Sequence, residues 1–232
     1  MKYLISIKWS NGEKSLVLLT LFLFSCQILL SNTMAGQLGA IEQQENFLSF
    51  VNLGFNQFTS TGINRILFIT SFFILCPKAE ALIPQSFVFT ASYLVAEWFT
   101  IHRFIEPNTY ILNSLLLLSI FAIGLENILS RKLKIENSRY LLLFFAGLIH
   151  GSALGNELVN SGTSLSKPIA TFFSYSLGLI AGEIVVLGVL FILFGKLLAE
   201  KPDYKKWIVN PISAALAIFS IYSIFRMLSL TN

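Results

Sequence analysis

An all-α bundle of transmembrane helices, with about six core spans behind an N-terminal apolar segment, is the fold class this sequence predicts. Three observations carry it. Of the 232 residues, 55% are hydrophobic and only 12% are charged, whereas an ordinary soluble domain carries about 25% charged residues; the mean hydropathy is +0.73. The apolar stretches reach the roughly 20 residues that cross the hydrocarbon of a bilayer. None alternates apolar and polar residues as a barrel strand does, so the helix is the way left to satisfy the backbone in lipid.

The first apolar stretch, 15–35, has two readings. Lys2, Lys8 and Lys14 precede Leu16–Leu30, and Thr33-Met34-Ala35 offers small residues for cleavage, which is the layout of a signal peptide. The alternative is a retained transmembrane helix. The remaining stretches, 50–76, 80–101, 110–129, 139–158, 171–198 and 207–228, form one membrane domain over 50–228 and leave no room for a soluble one.

The span 50–76 holds the first polar interruption. Gln57, Thr61 and Asn64 follow i, i+4, i+7 spacing and so share a helical face. Arg65 adjoins them, too far from either end to snorkel to water, and therefore calls for a carboxylate. Depth counted along each span points to Glu183 as that partner and places His150 nearby, with Glu97 and Glu126 nearer the ends of theirs. Tyr93 interrupts the next span. Such groups are costly in hydrocarbon and face a bundle interior or a pathway. A structural ion pair that fixes helix register is the competing reading for Arg65.

Gly147, Gly151 and Gly155 recur every four residues in span 139–158, and Ser174, Gly178 and Gly182 do so in 171–198. Each series makes a smooth groove that lets another backbone approach. The two helices are expected to touch through these grooves, which would bring His150 close to Glu183. The plainer alternative is that the glycines only pack and that His150 is a hydrogen-bonded interior histidine.

Loop charge predicts orientation. With the N-terminus inside and one crossing per span, Lys2, Lys8, Lys14, Lys78, Arg131, Lys132, Lys134, Arg139, Lys196, Lys201, Lys205 and Lys206 fall on the inner side, against Arg103, Lys167 and Arg226 outside. This is a strong positive-inside bias, and it puts the C-terminus outside. The net charge of +4 thus reports topology, not nucleic-acid binding. The two cysteines, Cys26 and Cys76, make no disulfide framework.

From residue 50 to about 228 the chain resembles the HupE/UreJ family of bacterial membrane proteins, on five pieces in order. Gly54-x-x-Gln57 and Gly62-x-Asn64-Arg65-Ile66-Leu67-Phe68 occupy the frame of a family Gly-x-x-His followed by Gly-x-Asp-His. Phe89-Thr90-Ala91-Ser92-Tyr93-Leu94 stands where the family often has Phe-Thr-x-Ala-His-Ser. Asn113–Ile120 followed by Glu126-Asn127 matches a third span ending in Glu-Asn. His150-Gly151-Ser152-Ala153-Leu154-Gly155-Asn156-Glu157 matches His-Gly-x-Ala-His-Gly-x-Glu, and Gly178–Glu183 resembles Gly-Val-Glu-x-Gly-Gln.

The resemblance implies a bundle associated with nickel or cobalt uptake. It also implies metal-binding positions that here hold Gln57, Asn64, Arg65, Tyr93 and Leu154, with only His150 keeping an imidazole. Nickel favours imidazole and similar donors, and Arg65 offers no lone pair. Three functions follow as expectations. The first is a transporter of altered substrate, with Gln57, Asn64, Arg65, Tyr93, His150 and Glu183 along its pathway. The second is a non-transporting accessory subunit of a membrane complex. The third is a nickel or cobalt permease with other ligands, drawn from Glu97, Glu126, His150 and Glu183. No tight metal site is expected; His150, Glu157 and Glu183 are the set a metal would need. No cofactor, nucleic acid or catalytic constellation is expected. The expected partners are the lipid bilayer of the inner membrane and, within it, other membrane subunits or a second copy.

Overall fold

The computed structural model describes residues 47–59, 62–75, 77–130, 137–161, 168–196 and 203–229, and all regular structure among them is helical. The 15–35 segment, Cys76 and the loop residues Arg131, Lys132, Lys134, Lys167 and Lys201 lie outside the described residues. The helices are α1 Phe47–Thr59, α2 Ile63–Leu75, α3 Ala79–Ile101, α4 Thr109–Leu129, α5 Asn137–Asn160, α6 Pro168–Leu190 and α7 Asn210–Ser229. Six π-helical residues, Phe191–Lys196, extend α6, and five more, Lys205–Val209, lead into α7. Pro168 opens α6, where a missing N–H leaves no bond unmade. Asn108 caps α4, its side chain accepting from the N–H groups of Tyr110 and Ile111.

Four helices are long and apolar enough to cross a membrane: α4, α5, α6 with its extension, and α7 with its lead-in; a fifth crossing is counted if α1 and α2 form one span. α3 has the length, at 23 residues, but Glu80, Gln85, Ser92 and Glu97 make it less apolar. The six expected spans therefore all appear as helices or a helix pair.

The span expected at 50–76 is corrected. It is two 13-residue helices bent by 62° at the break. Each is about 20 Å long at 1.5 Å per residue, so neither crosses alone. α2 is the bundle's axis, since every residue from Phe68 to Leu75 is buried, as a helix apolar all round should be. Of the Gln57–Thr61–Asn64 stripe, Thr61 lies outside the described residues, and Gln57 and Asn64 fall on different helices rather than on one continuous face.

Contacts fix which helix ends lie together. The Tyr204 hydroxyl donates to the Ile74 carbonyl, Phe73 packs on Phe194, and Arg139 reaches Glu126 and the Phe72 carbonyl. The ends of α2, α4 and α6 and the starts of α5 and α7 thus share one side. Arg139, expected as an inner loop charge, is fully buried.

The glycine grooves are real, but their partners differ from the expectation. A methyl group at Gly147 would stand 1.9 Å from Ser92 Oγ, and one at Gly151 2.0 Å from the Tyr93 carbonyl oxygen, so the α5 groove receives α3. At Gly178 it would stand 2.0 Å from the Val51 carbonyl oxygen, and at Gly182 2.8 Å from Phe58 Cβ, so the α6 groove receives α1. Gly54 completes this second contact from the other side, 2.2 Å from the Tyr175 carbonyl oxygen on the same measure. Both pairs run parallel, and with each groove filled, α5 and α6 do not meet through them.

Candidate functional site at the helix break

Gly62 closes the break between α1 and α2. Its carbonyl accepts from the N–H of Arg65 at 2.8 Å and of Ile66 at 3.0 Å, starting α2. A side chain there would collide with the Gln57 carbonyl at 2.8 Å and Arg65 Nη1 at 2.9 Å, because the guanidinium folds back over the break. Arg65 Nη1 donates to the Gln57 carbonyl at 2.9 Å. Arg65 Nη2 donates to Glu157 Oε2 at 2.5 Å, and the Gln57 amide donates to the same oxygen. Arg65, one end of α1 and the C-terminal part of α5 are thereby tied into one lock.

The partner of Arg65 is therefore Glu157, not Glu183. Linear depth counting assumes a straight helix, and a 62° bend turns Arg65 toward the end of α5. The pair is asymmetric: the Arg65 side chain is 4% exposed and that of Glu157 39%. Glu157→Leu leaves a buried guanidinium without its carboxylate, a loss of about 3 kcal/mol or more. Arg65→Leu leaves a carboxylate that water can reach, nearer the roughly 1 kcal/mol of exposed pairs. Denaturation of the two single variants and the double variant in detergent measures this. Equal losses that simply add would remove the lock.

Glu183 and Tyr93 lie at a second place, between α3 and α6. Both carboxyl oxygens of Glu183 accept from the Thr90 hydroxyl, at 3.0 and 2.8 Å. Ser176 donates to Glu97 Oε1 at 2.9 Å. Tyr93 is fully buried and within electrostatic reach of Glu183 and Glu97. Its hydroxyl lies against the Glu183 carboxyl, and Glu97 Oε2 has no hydrogen-bond partner among the described residues.

His150 is set in an aromatic box. Its ring lies 4.6 Å from that of Phe68 and 5.5 Å, edge-on, from that of Phe89, centroid to centroid. Nε2 is 3.2 Å from the Ser119 hydroxyl, and Nδ1 is buried without a partner. Asn64 is half-buried, next to Arg65 in the first turn of α2. His150, Glu157 and Glu183 are not brought together. Among the described residues no three His, Cys, Asp or Glu side chains gather as a metal would require. Glu126 is likewise held elsewhere, on Arg139.

Sequence reasoning missed a third cluster. Arg139, with no exposed surface, donates from Nε to Gln85 at 2.7 Å, from Nη1 to Glu126 at 2.6 Å and to Asn127 at 3.0 Å, and from Nη2 to the Phe72 carbonyl at 2.7 Å. Asn127 in turn donates to the Ser71 carbonyl at 2.6 Å and to Ser213 at 3.1 Å. The cluster joins α2, α3, α4, α5 and α7. The available signal was an arginine twelve residues beyond Asn127, across a short connection and opposite the polar Gln85.

Compared with known proteins, residues 33–227 match the family model described as HupE / UreJ protein. No curated protein and no solved structure matches the chain.

Proposed function

Since the chain belongs to the HupE/UreJ family, we propose that it is a membrane transporter whose substrate differs from the nickel or cobalt associated with that family, and that its pathway passes the break between α1 and α2. One observation carries this reading: two half-length helices meet inside the bundle, and a buried arginine bridges the gap to Glu157. Non-helical backbone at membrane depth is tolerated where protein buries it or where it lines a water-filled cavity, and discontinuous helices of this kind form substrate sites in transporters. The Arg65–Gln57–Glu157 lock flanks the outer approach to the break, with Glu157 partly exposed there. The change of substrate follows from charge. A divalent ion about 5 Å from Arg65 is repelled by several kcal/mol at an effective dielectric near 20. In this reading the protein lies in the inner membrane, with the ends of α2, α4 and α6 on the cytoplasmic side.

Thiol accessibility tests the pathway. In a Cys26→Ser, Cys76→Ser background, Gln57→Cys and Asn64→Cys should react with a membrane-impermeant thiol reagent added from the outer face. Ile69→Cys, at a fully buried position, should not. If Gln57→Cys is as inert as Ile69→Cys, no passage reaches the break. Nickel uptake by vesicles holding the protein should not exceed that of empty vesicles; robust uptake abolished by His150→Ala would return the reading to a metal permease.

A further inference from the structure

We infer that Glu97, Tyr93 and Glu183 form a proton-carrying row between α3 and α6, with the proton itself as ligand. Its use rests on the pathway reading above; its existence rests on geometry. Thr90, Tyr93 and Glu97 follow i, i+3, i+7 spacing and share one face of α3. Ser176 and Glu183 lie seven residues apart on α6. The helices run antiparallel, so Ser176 meets Glu97 at one level and Glu183 meets Thr90 about two turns, roughly 10 Å, away. Tyr93 stands between the levels.

Each carboxyl has a hydroxyl neighbour but no cation. Among the described residues the ion pairs are those of Arg65 with Glu157, Arg103 with Glu106 and Arg139 with Glu126. The other groups around the row are His150 and Glu157 on α5, Arg65 on α2 and Tyr175 on α6. Arg65 is engaged by Glu157, and His150 is enclosed by Phe68 and Phe89. Glu97 is fully buried and Glu183 is 3% exposed. An ionised carboxylate so placed is costly in a low-dielectric interior: Glu97 has one oxygen unbonded, and the two oxygens of Glu183 share the Thr90 hydroxyl. A proton removes that charge and makes the acid a donor.

The phenol of Tyr93 both donates and accepts, which suits it to link the two acids. Transfer requires Glu97 Oε2, unbonded here, to turn onto the Tyr93 oxygen; as the O–H bond of Glu97 breaks, one forms on that oxygen. The phenol's own O–H breaks and one forms on Glu183, leaving Tyr93 unchanged and the charge moved by one carboxyl. A resident metal fits less well, since among the described residues no third His, Cys, Asp or Glu gathers with the two acids.

Infrared difference spectroscopy of the full chain in lipid tests the row without knowledge of the substrate. Titration from acid to alkaline pH should bleach a protonated-carboxyl band. Glu97→Gln should remove one component, Glu183→Gln the other, and Tyr93→Phe should shift both without removing either, with folding checked by circular dichroism. Dicyclohexylcarbodiimide, which modifies protonated carboxyls inside lipid, gives a readout on the unmodified sequence: adducts at Glu97 or Glu183 that are lost at alkaline pH. A spectrum with no protonated-carboxyl band at any pH, or a band bleached by sodium at constant pH, overturns the proposal. A reactive Gln57→Cys beside such a spectrum would leave the pathway standing and the proton row refuted.

Discussion

Arg139→Leu is expected to destabilise the protein more than any other single side-chain deletion, by about 3–5 kcal/mol. Two effects compete in setting that figure. Hydrogen bonds between helices in a bilayer average only about 0.6 kcal/mol, because the unfolded chain in lipid also finds partners. Losing four of them would therefore cost little more than 2 kcal/mol on that scale. The larger effect is what remains behind. Without the guanidinium, Gln85 Oε1, Asn127 Oδ1 and the Phe72 carbonyl each lose a donor, and Glu126, whose side chain is 21% exposed, keeps a charge with little water to solvate it. Unsatisfied buried polar groups cost about 1–3 kcal/mol each, so the leftover groups decide the outcome. Arg139→Lys should recover less than half of the loss, since one ammonium cannot reproduce a planar fork that reaches four acceptors. Unfolding in a graded detergent mixture measures both variants. If Arg139→Leu unfolds with the unsubstituted chain, the cluster contributes nothing to stability, and Arg139 is in effect the loop charge its position suggests.

Arg139 also shows where sequence reading stops. Its position two residues into α5, beside the charges of the preceding connection, satisfied the expectation of an inner-side loop residue, and no periodicity distinguishes that from a buried one. Helices α4 to α7 were legible because apolar length alone separates a lipid-facing helix from anything else. The break after Thr59 was not, since Ser60-Thr61-Gly62 is tolerated within a membrane helix and interrupts no apolar count. The error in assigning Arg65 to Glu183 followed from that break, because depth along a straight helix is meaningless across a 62° bend. Glu157 entered the sequence reading only through the family motif and the metal set, and nothing in its position three residues before the end of α5 marks it as the partner of Arg65. The buried face of Thr90, Tyr93 and Glu97 was visible only in part: Tyr93 stood out as polar, but its relation to Glu183 depends on two helices whose antiparallel register no single-chain pattern records.

The glycine grooves lead to the second large effect. Gly151→Ala is expected to cost about 1–3 kcal/mol, the usual range for overpacking, although it adds only one carbon. Its methyl would lie 2.0 Å from the Tyr93 carbonyl oxygen and 2.7 Å from the Tyr93 carbonyl carbon and Cα. All three are backbone atoms of a helix, so no rotamer change relieves the clash, and α3 must retreat by about 1.4 Å to restore ordinary contact near 3.4–4 Å. Gly155→Ala should cost less, because its nearest neighbour, Thr100 Cβ, stands at 2.7 Å and a smaller retreat of α3 relieves the overlap. Gly188 has nothing within 4 Å, and Gly188→Ala should be neutral or slightly stabilising, as alanine is the better helix former by about 1 kcal/mol. The order Gly151, Gly155, Gly188 distinguishes close packing from a general intolerance of glycine replacement, which would rank all three alike. It also reaches the site, because Tyr93 is both the backbone that Gly151 admits and the side chain that stands between Glu97 and Glu183. A retreat of α3 would carry Thr90 away from Glu183 and Glu97 away from Ser176. Thermal denaturation of the three variants in one detergent decides the order, and Gly151→Ala melting with Gly188→Ala would mean that α3 and α5 are not in the contact described.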